Sequence, residues 1–296
     1  MSYRPRRVPR STELSLRGLP HRVLRWGPAD AEPLIFLHGW ADAAATFQFL
    51  VDAFAGEHPI AALDWRGFGD SAWRGEPYWF PDYIADLEAL LDALAPQGPA
   101  TLLGHSMGGN VAALYAGIRP ERVRALVNLE GFGLKRTEPG DAPARYRRWL
   151  EELKAPPGFG RYASRAEFAA VLAKRNPRLS AERAGFVAEC WTRQAADGRF
   201  VNRADPAHRL VNPVLYRREE AEACWRRCQA PTLLVFGGLS EFRAMLGPDA
   251  TDEYFRAIYP HATLETLATA GHMLHHEEPE ALAALIEHWL SQLAGR

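Results

Sequence analysis

Residues Gly104-His105-Ser106-Met107-Gly108 form the pattern G-x-S-x-G, the strongest chemical signal in this 296-residue chain. The apolar run 100–103 before them predicts a buried strand, and the alanine- and leucine-rich run 110–115 after them predicts a helix. A serine on such a tight strand-to-helix turn holds its hydroxyl clear of the sheet, and the amide of the next residue can face an oxyanion. The pattern therefore predicts that Ser106 is a nucleophile.

The base that a serine nucleophile needs is predicted to be His272. A free serine hydroxyl reacts poorly at neutral pH, whereas histidine exchanges protons near neutrality. His272 lies in a glycine-containing loop after the last predicted strand, and a histidine that follows the serine along the chain fits a known triad order. His272, His275 and His276 together with Glu277 could alternatively suggest a metal cluster, but we expect His275 and His276 to lie at a solvated helix start.

The composition is that of an ordinary globular protein and favours no charged macromolecular partner. Apolar residues make up 47% and charged residues 24%, and the formal net charge is −1. No apolar run approaches the roughly 20 residues of a membrane helix, and no signal peptide is recognisable. We therefore expect neither nucleic acid nor a membrane as partner. Local basic charge is concentrated in a segment that we expect to be a solvated tail, with Arg4, Arg6, Arg7 and Arg10.

The three cysteines, Cys190, Cys224 and Cys228, fit a reduced cytoplasmic protein. Cys224 and Cys228 have the i, i+4 spacing of a helix and could ligate a metal together. Because no further ligands stand at matching spacing, we interpret them as small packed residues.

Strands and helices alternate along most of the chain. This order predicts a doubly wound, mostly parallel sheet with helices on both faces. Strands are expected at 14–17, 21–26, 34–37, 60–63, 100–103, 123–129, 232–236 and 262–267. The segment 134–229 interrupts the alternation with arginines, breakers and helix-like stretches. We interpret it as a mainly helical cap inserted into a core of residues 1–133 and 230–296.

Three further motifs accompany the serine pattern. They are His38-Gly39-Trp40 after the third strand, Asp64-Trp65-Arg66-Gly67-Phe68-Gly69-Asp70-Ser71 after the fourth, and Gly271-His272 before the last helix. With these four motifs in order over nearly its whole length, the chain resembles the α/β-hydrolase fold family. The resemblance implies an α/β fold with about eight strands and a nucleophile, base and acid near one sheet edge.

The acid of the triad has two candidates, Glu130 and Glu241. It must accept the second ring N–H of the histidine. In most of the family it is an aspartate after the seventh strand, where this chain has Ser240, with Glu241 one step further. Haloalkane dehalogenases and some similar hydrolases keep the acid after the sixth strand, where this chain has Glu130. We favour Glu130 and keep Glu241 as the alternative.

The oxyanion hole needs two backbone amides aimed at the developing negative charge. Met107 supplies one by its position after the serine, and resemblance to the family's oxyanion loop assigns Trp40 as the second. Residues expected to contact substrate are His38, Gly39 and His105. His38 is also expected to hold its loop through hydrogen bonds.

These assignments predict a serine hydrolase that cleaves esters of small to medium apolar substrates through an acyl-enzyme. No cofactor or metal is expected, and the glycine-rich run 64–71 lacks the lysine of a phosphate-binding loop. Thioesterase, lactonase, perhydrolase and carbon–carbon bond hydrolase chemistry use the same triad. A hydrolase fold that binds a ligand without turnover is the alternative from another class.

Overall fold

The computed structural model describes residues 3–294 and contains a central eight-stranded sheet. Its strands are β1 (Arg10–Leu16), β2 (Leu19–Trp26), β3 (Leu34–Leu37), β4 (Ile60–Leu63), β5 (Ala100–His105), β6 (Val123–Leu129), β10 (Thr232–Gly237) and β11 (Ala262–Leu267). Their order across the sheet is β1-β2-β4-β3-β5-β6-β10-β11. Strand β2 pairs antiparallel with β1 and β4, and the remaining pairs are parallel. The predicted fold class is confirmed.

Helices cover both faces of this sheet. They are α1 (Gln48–Ala53), α2 (Phe80–Leu94), α3 (Met107–Ile118), α4 (Ala142–Lys154), α5 (Arg165–Arg175), α6 (Ala181–Trp191), α7 (Arg218–Trp225), α8 (Glu241–Ala244), α9 (Asp252–Ile258), α10 (Leu274–Glu277) and α11 (Pro279–Ala294). Over residues 3–294, none of them combines the length and hydropathy that crossing a membrane requires.

The two faces of the sheet form separate apolar cores. Ile35 and Phe36 are adjacent in β3 and both fully buried, but Ile35 packs with α2 and α3 and Phe36 packs with α1 and α11. Successive strand residues point to opposite faces, so a strand covered on both sides must be apolar throughout. The short apolar runs of the sequence therefore became the central strands, and these strands fix the edge at which the site is built.

The segment between residues 134 and 229 is packed unevenly. Helix α4 has no buried residue, whereas α5 and α6 pack on one another through Phe168 and Val187. Three short strands, β7 (Arg161–Tyr162), β8 (Thr192–Gln194) and β9 (Phe200–Asn202), form a small antiparallel sheet that the sequence did not lead us to expect. Helix α7 packs against α3, and its Trp225 is fully buried in the main core.

The arginine-rich N-terminal segment is not the solvated tail that we expected. The carboxylate of Asp52 accepts the main-chain N–H groups of Arg6 and Arg7 at 2.9 and 2.8 Å. It also accepts the hydroxyl of Tyr3 at 2.8 Å. The Asp52 side chain therefore holds this segment to α1, together with hydrogen bonds from the Arg7 guanidinium to the Phe54 carbonyl at 3.0 Å and from the Gln48 amide to the Arg7 carbonyl at 2.8 Å.

Candidate active site

Ser106 occupies a sharp turn between β5 and α3. Its backbone has φ +50° and ψ −112°, a conformation that non-glycine residues rarely adopt. Its main-chain N–H donates to the Leu129 carbonyl at 2.8 Å, which ties the turn to β6. A Cβ at Gly104 would lie 2.5 Å from the Gly108 backbone, and one at Gly108 would lie 2.1 Å from the Leu37 oxygen. The pattern therefore needs glycine at both ends because strand, turn and helix touch there.

His272 links the serine to a carboxylate. Its Nε2 lies 3.0 Å from the Ser106 Oγ, and its Nδ1 lies 2.9 Å from the Glu130 Oε2. The histidine follows β11 in a loop that returns over the turn at Ser106. Each of the three groups is thus within hydrogen-bonding distance of the next, which is the arrangement that lets a histidine take a proton from a serine.

Glu130 is buried at the end of β6 and pinned on both oxygens. Its side chain accepts the Gly237 N–H at Oε1, at 2.8 Å, and the Ser240 hydroxyl at Oε2. Its backbone has φ +57°, and its exposed fraction is 2%. The neighbouring Asn128 side chain bonds both the N–H and the carbonyl of Gly131, at 2.9 and 2.8 Å. These contacts hold an ionisable group in one orientation at the point where it meets His272.

The loop 38–40 lies directly against the turn at Ser106. A Cβ on Gly39 would be 3.3 Å from the Ser106 Cβ and 2.9 Å from the His105 Nδ1, so no side chain fits there. Trp40, the next residue, is about half exposed, and its ring packs at 5.9 Å from Phe159. The amides of Trp40 and Met107 thus belong to two segments that meet beside the serine hydroxyl.

Two buried histidines of this region, His38 and His105, form hydrogen bonds with main-chain atoms. His38 accepts the Trp65 N–H on Nε2 at 3.0 Å, so its Nδ1 carries the proton and donates to the Gly39 carbonyl at 2.7 Å. The His105 Nε2 lies 2.8 Å from the His272 carbonyl. Burial lowers the pKa of His38 and lowers that of His105 well below its usual range, so both are neutral.

The prediction that His38 and His105 contact substrate needs correction, because both side chains are inaccessible. They hold the loops of Gly39 and His272 instead, as we had expected for His38 alone.

A family model of the α/β-hydrolase fold matches residues 32–279. The chain belongs to the α/β-hydrolase fold family. A serine hydrolase-like protein of Danio rerio is 28% identical over 273 residues, which cover 90% of this chain and 83% of that protein. A cis-3-alkyl-4-alkyloxetan-2-one decarboxylase of Shewanella oneidensis is 28% identical over 278 residues, which cover 88% and 82%.

Solved structures agree with this family assignment. A hypothetical protein from Pseudomonas aeruginosa PAO1 has a TM-score of 0.81 at 27% identity, covering 97% of this chain and 99% of its own. A thioesterase domain from the curacin biosynthetic pathway has a TM-score of 0.82 at 23% identity, covering 95% and 99%. At that identity the second likeness concerns the fold alone.

This α/β-hydrolase fold chain brings Glu130, and not Glu241, to the histidine. Glu241 is exposed at the start of α8 and, within residues 3–294, has no hydrogen bond or ion pair. Ser240 stands where the family usually has its aspartate, and its hydroxyl donates to Glu130. Sequence reasoning treated Ser240 only as a missing acid. The signal that could have identified this contact was a serine in the loop after β10 together with a carboxylate directly after β6.

The expectation of a solvated helix start at His275 and His276 is wrong. Both lie in α10, but their side chains are buried. Glu277 beside them is also buried and accepts the Gly271 N–H at 2.5 Å and the Arg178 Nε at 2.5 Å. The run looks charged in sequence but lies in the interior, because α11, α1 and the turn before α1 pack against α10.

Proposed function

We propose that the protein is a serine hydrolase that cleaves carboxylic esters of small to medium apolar substrates. The observation that carries the proposal is the relay of 3.0 Å from Ser106 to His272 and 2.9 Å from His272 to Glu130, mounted on a strained turn. Strained backbone at a polar, partly accessible residue is a feature of functional sites. Family membership adds that this turn is where such proteins keep their nucleophile.

In the proposed reaction, the Ser106 oxygen attacks the substrate carbonyl while His272 takes its proton on Nε2. Glu130 stabilises the imidazolium through Nδ1 and remains ionised. The amides of Trp40 and Met107 hold the oxygen of the tetrahedral intermediate. The C–O bond then breaks, His272 protonates the leaving alcohol, and an acyl group remains on Ser106. Water repeats the sequence on the acyl-enzyme and releases the acid.

The apolar substrate class is inferred from the side chains around the serine. The ring of Phe242 lies 4.3 Å from that of His272. The ring of Trp40, in the loop beside Ser106, packs against that of Phe159 from residues 134–229. Aromatic walls of this kind favour acyl or aryl groups over charged ones. We further propose that residues 134–229, with their exposed apolar side chains, form a cap over the site at Ser106.

We also propose that the protein is cytoplasmic, in keeping with its three free cysteines.

Cyclic esters deserve a place among the test substrates. The Shewanella oneidensis relative is named for an alkyl-substituted oxetanone, which is a four-membered lactone. A lactone carbonyl presents the same electrophile to Ser106 as an open ester does. We therefore regard small alkyl lactones as the second candidate class.

The proposal is tested with p-nitrophenyl esters of increasing acyl length and with an alkyl β-lactone. We expect turnover with an optimum at short to medium chains, and its loss in Ser106→Ala. Ser291→Ala is the matched control, since Ser291 is an exposed serine in α11. Turnover that survives in Ser106→Ala would contradict the assignment. Absence of turnover together with failure of a fluorophosphonate to label Ser106 would favour a ligand-binding protein.

A further inference from the structure

A buried cluster of Asp42, His275 and His276 lies behind the candidate active site and has no part in the proposed reaction. The exposed fractions of these residues are 3%, 0% and 1%. Asp42 is two residues beyond Trp40, and His275 is three residues beyond His272. The cluster therefore joins the two loops that present the predicted oxyanion amide and the predicted base.

One carboxylate oxygen of Asp42 accepts three hydrogen bonds, and the other accepts none among the described residues. Oδ1 accepts the Ala43 N–H at 2.8 Å, the Thr46 hydroxyl at 2.6 Å and the Trp191 indole N–H at 2.7 Å. Oδ2 is buried without a hydrogen-bond partner among the described residues. Three donors fix the carboxylate so that its free oxygen points away from them, and a buried carboxylate oxygen without a partner is costly.

The two histidines present unpartnered nitrogens to the same place. Both ring nitrogens of His275 and the Nε2 of His276 are buried and, among residues 3–294, have no hydrogen-bond partner. The Nε2 atoms of His275 and His276 lie 3.4 and 3.9 Å from the Asp42 Oδ2. Neither contact has the geometry of a hydrogen bond. Unpartnered polar atoms of three buried side chains thus converge.

We propose that Asp42, His275 and His276 bind one divalent transition-metal ion, with zinc the best match. Ligand atoms about 2.0–2.1 Å from a tetrahedral zinc lie about 3.3–3.5 Å from one another. One ligand atom from each of the three residues can be chosen so that all lie within 4.8 Å of one another. The Nε2 of His275 already lies at such a distance from the Asp42 Oδ2, at 3.4 Å, and the remaining ligand atoms would have to approach one another by up to about 1.5 Å. Two imidazoles and one carboxylate favour zinc over magnesium or calcium, which prefer oxygen ligands.

Such an ion would brace the active site without touching substrate. It would tie the segment after Trp40 to the helix after His272. The ring of His105 packs 4.3 Å from that of His275 and 4.9 Å from that of His272, which adds a direct contact between cluster and base. We therefore assign the three ligands a positioning role, and we expect the metal to raise the melting temperature of the protein.

The test measures metal in the intact protein. The chain is produced in cells supplied with zinc, and in parallel with cobalt, purified without chelators, and measured for metal per chain and for the visible absorption of tetrahedral cobalt. The variants are His276→Gln and Asp42→Asn. The matched control is His58→Gln, since His58 is a partly exposed histidine 2.9 Å from the carboxylate of Glu287. Circular dichroism checks that each variant is folded.

We expect one ion per chain in the wild type and in His58→Gln, and little metal in the two cluster variants. Removal of the ion by a chelator should lower the melting temperature of the wild type. Metal-free wild type from both cultures would overturn the proposal, whether or not the variants fold. Equal metal in the wild type and in folded His276→Gln would also overturn it. Neither readout depends on hydrolysis, so the proposed function stands or falls separately.

Discussion

The carboxyl edge of the sheet and helix α4 of the proposed cap contrast in how they are held. At the sheet edge, Ser106 and Glu130 sit in strained conformations that neighbouring strands impose. In α4, Leu150 is 53% exposed, and no residue of the helix is buried. The predicted catalytic groups thus lie where the backbone is constrained, whereas α4 lies where packing is weak. We expect substitutions at the edge to affect rate and substitutions in α4 to affect substrate preference.

The largest expected effect is that of Ser106→Ala on ester turnover. Loss of the nucleophile of a serine triad lowers kcat by about 10⁴- to 10⁶-fold. The free energy of unfolding should stay close to that of the wild type, because the side chain contributes little packing. Steady-state kinetics and chemical denaturation measure the two quantities. A variant that keeps more than a small fraction of wild-type kcat would remove Ser106 from its assigned role.

The next-largest effect distinguishes Glu130 from Glu241 as the acid of the triad. Glu130→Gln keeps the size of the side chain but removes the charge that stabilises the imidazolium, and we expect a loss of about 10⁴-fold in kcat. Glu241→Gln is the matched control and should stay close to the wild type, since that side chain is exposed. Kinetics on one ester substrate compares them. The reverse ranking would transfer the acid to the position after β10.

The difference in packing between α2 and α4 predicts that a Leu→Ala substitution lowers the free energy of unfolding by different amounts in the two helices. Leu91 in α2 is fully buried, and Leu91→Ala should lower the free energy of unfolding by about 2–5 kcal/mol. Leu150→Ala in α4 should change it by less than about 0.5 kcal/mol, because the side chain is already in solvent. Urea denaturation measures both. Similar losses in the two variants would mean that α4 is packed far more tightly than its exposure indicates.

A smaller effect is expected for the hydroxyl that supports Glu130. A hydrogen bond to a charged group contributes about 1.5–3 kcal/mol, so Ser240→Ala should lower kcat about 10- to 100-fold if that contribution is lost in the transition state. KM should change little, because the hydroxyl acts on the acid and not on substrate. A kcat equal to that of Ser291→Ala would show that the main-chain N–H of Gly237 positions the carboxylate alone.

The last prediction concerns acid stability where residues 134–229 pack on the segment after β4. His208, from residues 134–229, stacks between Phe68 and Tyr78 at 3.7 and 3.6 Å, and burial lowers its pKa to about 3. The unfolded chain takes up this proton near the usual pKa of about 6.5, whereas the folded chain resists it. Stability should therefore fall as pH drops from about 6.5 towards 3, by at most about 1.4 kcal/mol per pH unit from this residue.

His208→Gln checks the sign of this effect. It should flatten the decline of the unfolding free energy between pH 6.5 and 4. A decline of unchanged slope would assign the acid sensitivity to other buried histidines, of which His276 has a similarly lowered pKa.

The features predicted best from the sequence are those that local composition determines. Short apolar runs gave the central strands to within two residues, because a strand buried on both faces has no other composition. The glycines around Ser106 identified the turn, since close contact between strand and helix excludes larger residues there. The carboxylate directly after β6 was predicted from the position that some members of the family use for their acid, together with the need of the histidine for an acceptor.

What escaped prediction depends on contacts between distant segments. The burial of His275 and His276 requires α10 to lie beneath other elements, which no local pattern reveals. The support from Ser240 to Glu130 joins residues 110 positions apart. The anchoring of Arg6 and Arg7 likewise depends on partners in and beside α1, far along the chain, with Asp52 foremost among them. Polar residues of this kind look solvated in sequence until their partners are known.

The most direct test of the central claim is labelling by a fluorophosphonate, followed by intact-mass measurement and peptide mapping. Covalent reaction needs an activated serine but no knowledge of the natural substrate. We predict one adduct per chain on the peptide that contains Ser106, slower formation in Glu130→Gln, and none in Ser106→Ala. An unlabelled wild type, or an adduct on another serine, would contradict the account.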